Sequence, residues 1–302
     1  MASTESGAIQ QLYASWTRRM AANPDMGIDQ LREMMEYWPK LAAEPEQVTY
    51  RNVDAGGVPA MWCLPVGCAD DRAILYIHGG AYVGGSTNSH RKMAAHLAAA
   101  VGCPALMIDY RLAPEDPHPA QLEDSAAAYR WLLQQGYDAS RTVTAGDSAG
   151  AALATSVVLK LREEGTPVPA GIVAISPWYD LEANGATYET NAEVDALIGR
   201  EVMVMFAQLF LAGASPTDPS ASPLHANLDG LAPTYIVVGG HEALLDDARL
   251  FAERAHAAGV DVTLVEVPEM QHVFTFMAGR APEADDAIRA IATWVRNKVK
   301  LL

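Results

Sequence analysis

The chain has 302 residues, half of them apolar and only 19% charged, which is enough to bury a large core and excludes a disordered chain. Lys and Arg total 21 against 37 Asp and Glu, a net charge of −16 that repels phosphate backbones and anionic bilayers, so neither nucleic acid nor a membrane is an expected partner. The three cysteines, Cys63, Cys68 and Cys103, form no C-x-x-C pair and no even disulfide set; they suit a reducing compartment and the role of small buried apolar residues.

MASTESGAIQ at the N-terminus lacks a basic stretch followed by an apolar one, so no secretory signal is expected and the cytoplasm is the default location. Over residues 1–45, Leu12, Trp16 and Met20, then Leu31, Met34, Met35 and Trp38, recur at intervals of three or four, predicting two helices broken near Asn23-Pro24. Gln47 to Asn52 and Val58 to Leu64 read as a strand pair around the turn Asp54-Ala55-Gly56-Gly57. From Ala73 onward short apolar runs alternate with helical patterns, as in βαβ units whose strands are buried on both faces. The strands are Ala73 to Ile77, Ala105 to Asp109, Thr142 to Ala145, Ile172 to Ile175, Tyr235 to Val238 and Val262 to Val267; helices fall at Ser89 to Ala100, Gln121 to Gln135, Ala149 to Glu164, Asp246 to Ala258 and Pro282 to Lys298.

The result is an α/β chain with a mostly parallel eight-stranded sheet flanked by helices. No linker or repeat divides it, so the expected organisation is N-terminal cap helices over residues 1–45 and a catalytic domain over 46–302, with a cap insertion at about 184–232. That insertion is long for a connection in such a sheet and carries its own predicted helix, Val194 to Leu211. Its Met203, Met205, Phe206 and Phe210, with the N-terminal Met and Trp residues, suit either an apolar mouth or an ordinary core face.

Gly146-Asp147-Ser148-Ala149-Gly150 is a G-x-S-x-G sequence lying between a predicted strand and a predicted helix. A serine on so sharp a turn adopts a strained backbone, and glycines two positions away on each side remove side chains that would collide there. The helix start offers the N–H of Ala149 to a developing negative charge. His78-Gly79-Gly80-Ala81 closes the strand ending at Ile77 with a nearly side-chain-free backbone whose N–H groups are suited to the same oxygen. A phosphate cradle is the rival reading, but no Lys-Ser/Thr follows and G-x-G-x-x-G is absent; His78 itself is expected to hold the loop by hydrogen bonding.

The serine needs a base, and His272 follows the last predicted strand, where loops reach the C-terminal edge of the sheet. His241, at the end of another strand, is its competitor. The acid that orients the base is expected between residues 148 and 272; Glu242, near the end of the strand Tyr235 to Val238, is chosen over Asp246, which with Asp247 is expected to cap the following helix. Asp147 and Asp180 are expected to bond within their own loops.

Together, HGGAYVGGS at 78–86, DYRLAPEDPHPA at 109–120, GDSAGA at 146–151, SPWYDL at 176–181 and MQHVF at 270–274 resemble the hormone-sensitive-lipase-like (bacterial family IV) esterases of the α/β-hydrolase superfamily. The similarity runs from about residue 70 to the C-terminus. It implies an α/β-hydrolase fold under a helical cap, hydrolysis of short to medium acyl esters or lactones, often as a homodimer, and neither metal nor organic cofactor. By resemblance Ser148 is the nucleophile, His272 the base and Glu242 the acid, with the N–H groups of Gly80, Ala81 and Ala149 forming an oxyanion hole shaped by Gly79. The chain departs from the family in HGGA for the common HGGG and in Glu242 where the usual acid is aspartate. Hydrolysis of an aryl formamide on the same triad is one alternative. The other is a non-catalytic small-molecule receptor, as in the gibberellin receptors that resemble this family without its histidine; the presence of His272 argues against it.

Overall fold

A computed structural model of the protein describes residues 2–301. In chain order the elements are α1 (Gly7–Ala22), α2 (Ile28–Met35), β1 (Val48–Asp54), β2 (Pro59–Pro65), β3 (Ala73–Ile77), α3 (Thr87–Val101), β4 (Ala105–Ile108), α4 (Ala120–Gln134), β5 (Thr142–Asp147), α5 (Ala149–Glu163), β6 (Gly171–Ile175), α6 (Thr187–Thr190), α7 (Arg200–Leu211), β7 (Thr234–Gly239), α8 (Leu245–Ala257), β8 (Val262–Val267) and α9 (Pro282–Lys298). The eight strands form one sheet in the order β1-β2-β4-β3-β5-β6-β7-β8, with β2 antiparallel to β1 and β4 and every other pairing parallel.

Alternation along the central strands explains why they read as continuous apolar runs. Ile74 and Tyr76 of β3, Val143 and Ala145 of β5, and Val237 of β7 face one layer with α1, α3 and α9; Leu75 and Ile77, Ile172 of β6 and Ile236 face the other, with α4, α5 and α8. α5 is buried almost all round because its alanines let it sit close against β5. At Gly150 a Cβ would stand 2.1 Å from the Ile77 carbonyl oxygen and 2.4 Å from that of His78, so only glycine permits this approach. The turns after the six parallel strands, β3 to β8, open at the same C-terminal edge of the sheet.

The insertion differs from its predicted form. Its long helix starts at Arg200, not Val194, because the Asp195 carboxylate accepts the N–H groups of Leu197 and Ile198 in a turn and Gly199 is extended, at φ −131° and ψ 146°. The short α6 was not anticipated. Of the cysteines, Cys63 and Cys103 are buried as expected, burial pushing each thiol up to about 12, whereas Cys68 is half-buried. No described helix is long and apolar enough to cross a membrane.

Candidate active site

Ser148 occupies the step from β5 into α5 at φ 54°, ψ −123°, a strained conformation for a side-chain-bearing residue. Its N–H donates to the Ile175 carbonyl at 2.8 Å, pinning the turn to the neighbouring strand. The Ser148 Oγ lies 2.9 Å from His272 Nε2, and His272 Nδ1 lies 2.8 Å from Glu242 Oε2. A carboxylate only accepts, so Nδ1 carries the ring proton and Nε2 is left to accept from the serine hydroxyl. All three residues are buried, Glu242 completely. Among the described residues His241 makes no such contact, and its N–H donates to the Met270 carbonyl at 3.1 Å.

Glu242 is fixed on its other oxygen as well. Its Oε1 accepts from the Ser176 hydroxyl at 2.6 Å and from the Gly239 N–H at 2.5 Å. The Ser176 oxygen in turn accepts the N–H of Val273 at 3.0 Å, joining the acid to the loop that carries the base. Ser176 was not anticipated; the signal in the sequence was the position of SPWYDL directly after a predicted buried strand, and in the fold Ser176 takes φ 48°. Burial opposes a charge on His272, but the Glu242 hydrogen bond and the carboxylates of Glu242, Asp195 and Asp147 outweigh it and raise the ring above its ordinary pKa.

The N–H groups of Gly80, Ala81 and Ala149, in the turns next to Ser148, are left without a partner among the described residues, while the N–H of Gly79 is held at 3.3 Å by Asp147 Oδ1. Gly79 thus shapes the turn and donates elsewhere. A Cβ on it would reach within 2.4 Å of the Asp147 carboxylate and 3.1 Å of Ser148 Cβ, and Gly80, at φ 116°, would meet the Gly84 carbonyl at 2.3 Å. Ala81 takes φ 55° despite its methyl group. His78 holds the loop as anticipated, Nδ1 lying 2.8 Å from Gly79 O and the ring stacked on Tyr110 at 4.3 Å; burial and the neighbouring His90 bring it down to about 4, so it is neutral.

Three acidic residues depart from expectation. Asp147 bonds well outside its own loop, accepting from Tyr76 OH at 2.8 Å and lying 3.2 Å from His90 Nε2. Asp247 does not cap its helix: it accepts the N–H groups of Tyr179 and Asp180, and Asp246 accepts that of Thr187, because buried turns compete for these carboxylates. Asp180 bonds within its own loop, to the N–H groups of Glu182 and Asn184. His225 approaches Asp180 and Glu182 at 3.5 and 3.6 Å, a histidine–carboxylate cluster.

Above Ser148 and His272 lies an apolar cavity. Trp16 and Met20 of α1, Leu31, Met34 and Met35 of α2, and Trp38 wall one side; Leu197, Ile198, Val202, Met203 and Phe206 of the insertion wall the other. Trp38 stacks on Phe276 at 5.0 Å, and both line the cavity. Met203 and Phe206 thus line the mouth as one reading held, but Met205 is 43% exposed and Phe210 is packed on Tyr82 at 3.7 Å.

A strained serine backed by histidine and a buried carboxylate, beside free N–H groups and an apolar cavity on this sheet, defines a serine hydrolase of the α/β class. The family model described as alpha/beta hydrolase fold matches residues 74–276. An acetyl-hydrolase of Streptomyces hygroscopicus is 43% identical over 81% of this chain and 82% of its own, and an esterase of Acinetobacter venetianus 32% identical over 93% of each. A crystal structure of an esterase from the bacterial hormone-sensitive lipase family superposes with a TM-score of 0.94 at 42% identity over 99% of both chains. The chain belongs to the hormone-sensitive-lipase-like family of α/β-hydrolases and is an ester hydrolase acting on small-molecule esters.

Proposed function

We propose that Ser148 is the nucleophile, His272 the general base and Glu242 the acid of an acyl-enzyme mechanism, and that Gly80, Ala81 and Ala149 supply the oxyanion hole. The observation that carries this reading is the unbroken chain of contacts from Ser148 Oγ through His272 to Glu242, at 2.9 and 2.8 Å. As the Ser148 oxygen bonds to the ester carbonyl carbon, its proton passes to His272 Nε2 and the carbonyl oxygen takes up negative charge facing the N–H groups. His272 then gives that proton to the departing alcohol. A water, deprotonated by the same nitrogen, attacks the acyl-enzyme, releases the carboxylic acid and restores Ser148.

The cavity supports acyl esters as the substrate class, since its walls are almost wholly apolar and include the aromatic rings of Trp16, Trp38, Phe206 and Phe276; short to medium chains are the range the family resemblance implies. Residues 1–45 and the insertion at about 184–232 act as the cap in this reading, for they supply most of those walls. The three free cysteines support a cytoplasmic setting, and the outer edge of β8, at the end of the sheet, supports pairing into a homodimer. A rate panel of p-nitrophenyl esters from acetate upward, with a lactone and an aryl formamide, tests the assignment. Highest kcat/KM on the shorter esters is expected; a preference for the formamide, or for long chains, would overturn the substrate reading.

A further inference from the structure

The loop that carries Glu242 is fastened to the insertion as well as to the sheet. Asn191 Nδ2 donates to the Gly240 and Glu242 carbonyls at 3.2 and 2.8 Å. Asp195, buried, accepts the Ala243 N–H on Oδ2 at 2.7 Å and the N–H groups of Leu197 and Ile198 on Oδ1 at 2.9 and 2.8 Å. Gln271, next to His272, answers from the other loop: its amide accepts from Ala196 N–H at 2.9 Å and donates to the Val194 carbonyl at 2.8 Å. Residues 191–198 therefore bond to the chain on both sides of Glu242 and to the residue before His272, and Leu197 and Ile198 of the same segment face the cavity.

We propose that Asp195 is a positioning residue for the triad, locking the Glu242 loop to the wall of the acyl cavity so that the insertion sets the geometry of acid and base. This rests on the reading of Ser148, His272 and Glu242 as the triad. Each oxygen of Asp195 meets only donors, so the link requires a group that accepts on both sides. Asparagine cannot do this: whichever way it turns, its NH₂ faces an N–H, either that of Ala243 or those of Leu197 and Ile198. The carboxylate also stands in the field of His272. The other charged groups acting on that ring are Glu242 from the loop after β7 and Asp147 from β5, while the Tyr13 hydroxyl of α1 donates to the backbone carbonyl of His272 at 3.0 Å. Loss of the Asp195 charge removes one of the three carboxylates that favour the imidazolium.

The test compares Asp195→Asn and Asn191→Ala with the parent chain on p-nitrophenyl butyrate, with active sites counted by an organophosphate. Asp195→Asn is expected to lower kcat per active site by roughly tenfold to a hundredfold with little change in KM, the scale of a misplaced catalytic group. The acid limb of its pH profile should move to lower pH. Asn191→Ala, at a half-buried position that leaves the charge in place, should lower kcat without moving the limb. A lower Tm with kcat per site and limb both unchanged in Asp195→Asn would reduce Asp195 to a structural residue and overturn the proposal. If Asp195→Asn does not fold, unchanged kcat in Asn191→Ala overturns it. Ser148→Ala run beside them separates the two readings: an inactive Ser148→Ala with unaffected Asp195 and Asn191 variants refutes the positioning role alone, whereas an active Ser148→Ala refutes the triad.

Discussion

Replacing Glu242 by glutamine removes one charge and changes one atom, yet the surroundings of the side chain dictate how the amide must lie. Oε1 receives two donors, the Ser176 hydroxyl and the Gly239 N–H, and the latter cannot rotate away or reverse its polarity. The glutamine oxygen must take that position, which turns its NH₂ toward His272 Nδ1. Nδ1 is then an acceptor, the ring proton moves to Nε2, and Nε2–H faces the Ser148 oxygen without capacity to accept its proton. The same wrong-tautomer substitution in other triads costs about 10⁴ in kcat, and at 1.36 kcal/mol per decade this is about 5 kcal/mol of transition-state stabilisation. Steady-state hydrolysis of p-nitrophenyl acetate, with active sites titrated, measures it directly. A variant retaining more than roughly a tenth of the parent kcat would refute the assignment of Glu242, since a carboxylate that merely packs against the ring would cost about that little.

The pH profile follows from the same contacts. His272 works as the neutral ring, and its pKa is raised, so kcat/KM should be lost as pH falls through a value above the ordinary histidine value of about 6.5; a limb below that value would contradict the electrostatics of the site. Gly150→Ala places a methyl against the carbonyls of Ile77 and His78 and should destabilise the fold by about 3 kcal/mol or more, read from urea unfolding; wild-type stability would show that α5 and β3 part freely. Val202→Trp narrows the cavity from the insertion side and should lower kcat/KM on p-nitrophenyl octanoate far more than on the acetate. An equal fall on both would place the acyl chain elsewhere.

The central sheet was legible because its strands are buried on both faces, giving apolar runs bounded by glycine, proline and acidic turns; β3 and β8 fall on their predicted bounds. Ser148 and His272 were legible from local pattern and chain order. What the residues alone left undecided turns on contacts distant in sequence. Glu242 and Asp246 differ by one helical turn, and only the fold decides that the first faces His272 while the second meets Thr187. Asp147, Asp247 and Ser176 were misread or missed because each bonds to backbone or side chains tens of residues away. The start of α7 escaped for a local reason: the Asp195 turn satisfies the N–H groups that a helix would have used, against an apolar periodicity that continues through it.

Reaction of the protein with diethyl p-nitrophenyl phosphate, followed by mass spectrometry of its peptides, is the most direct trial of the mechanism. One diethylphosphoryl group per chain on the peptide bearing Ser148, with loss of ester turnover in step with labelling and no labelling in Ser148→Ala, is the predicted result. Modification of another residue, or turnover that persists in the fully labelled protein, would contradict it.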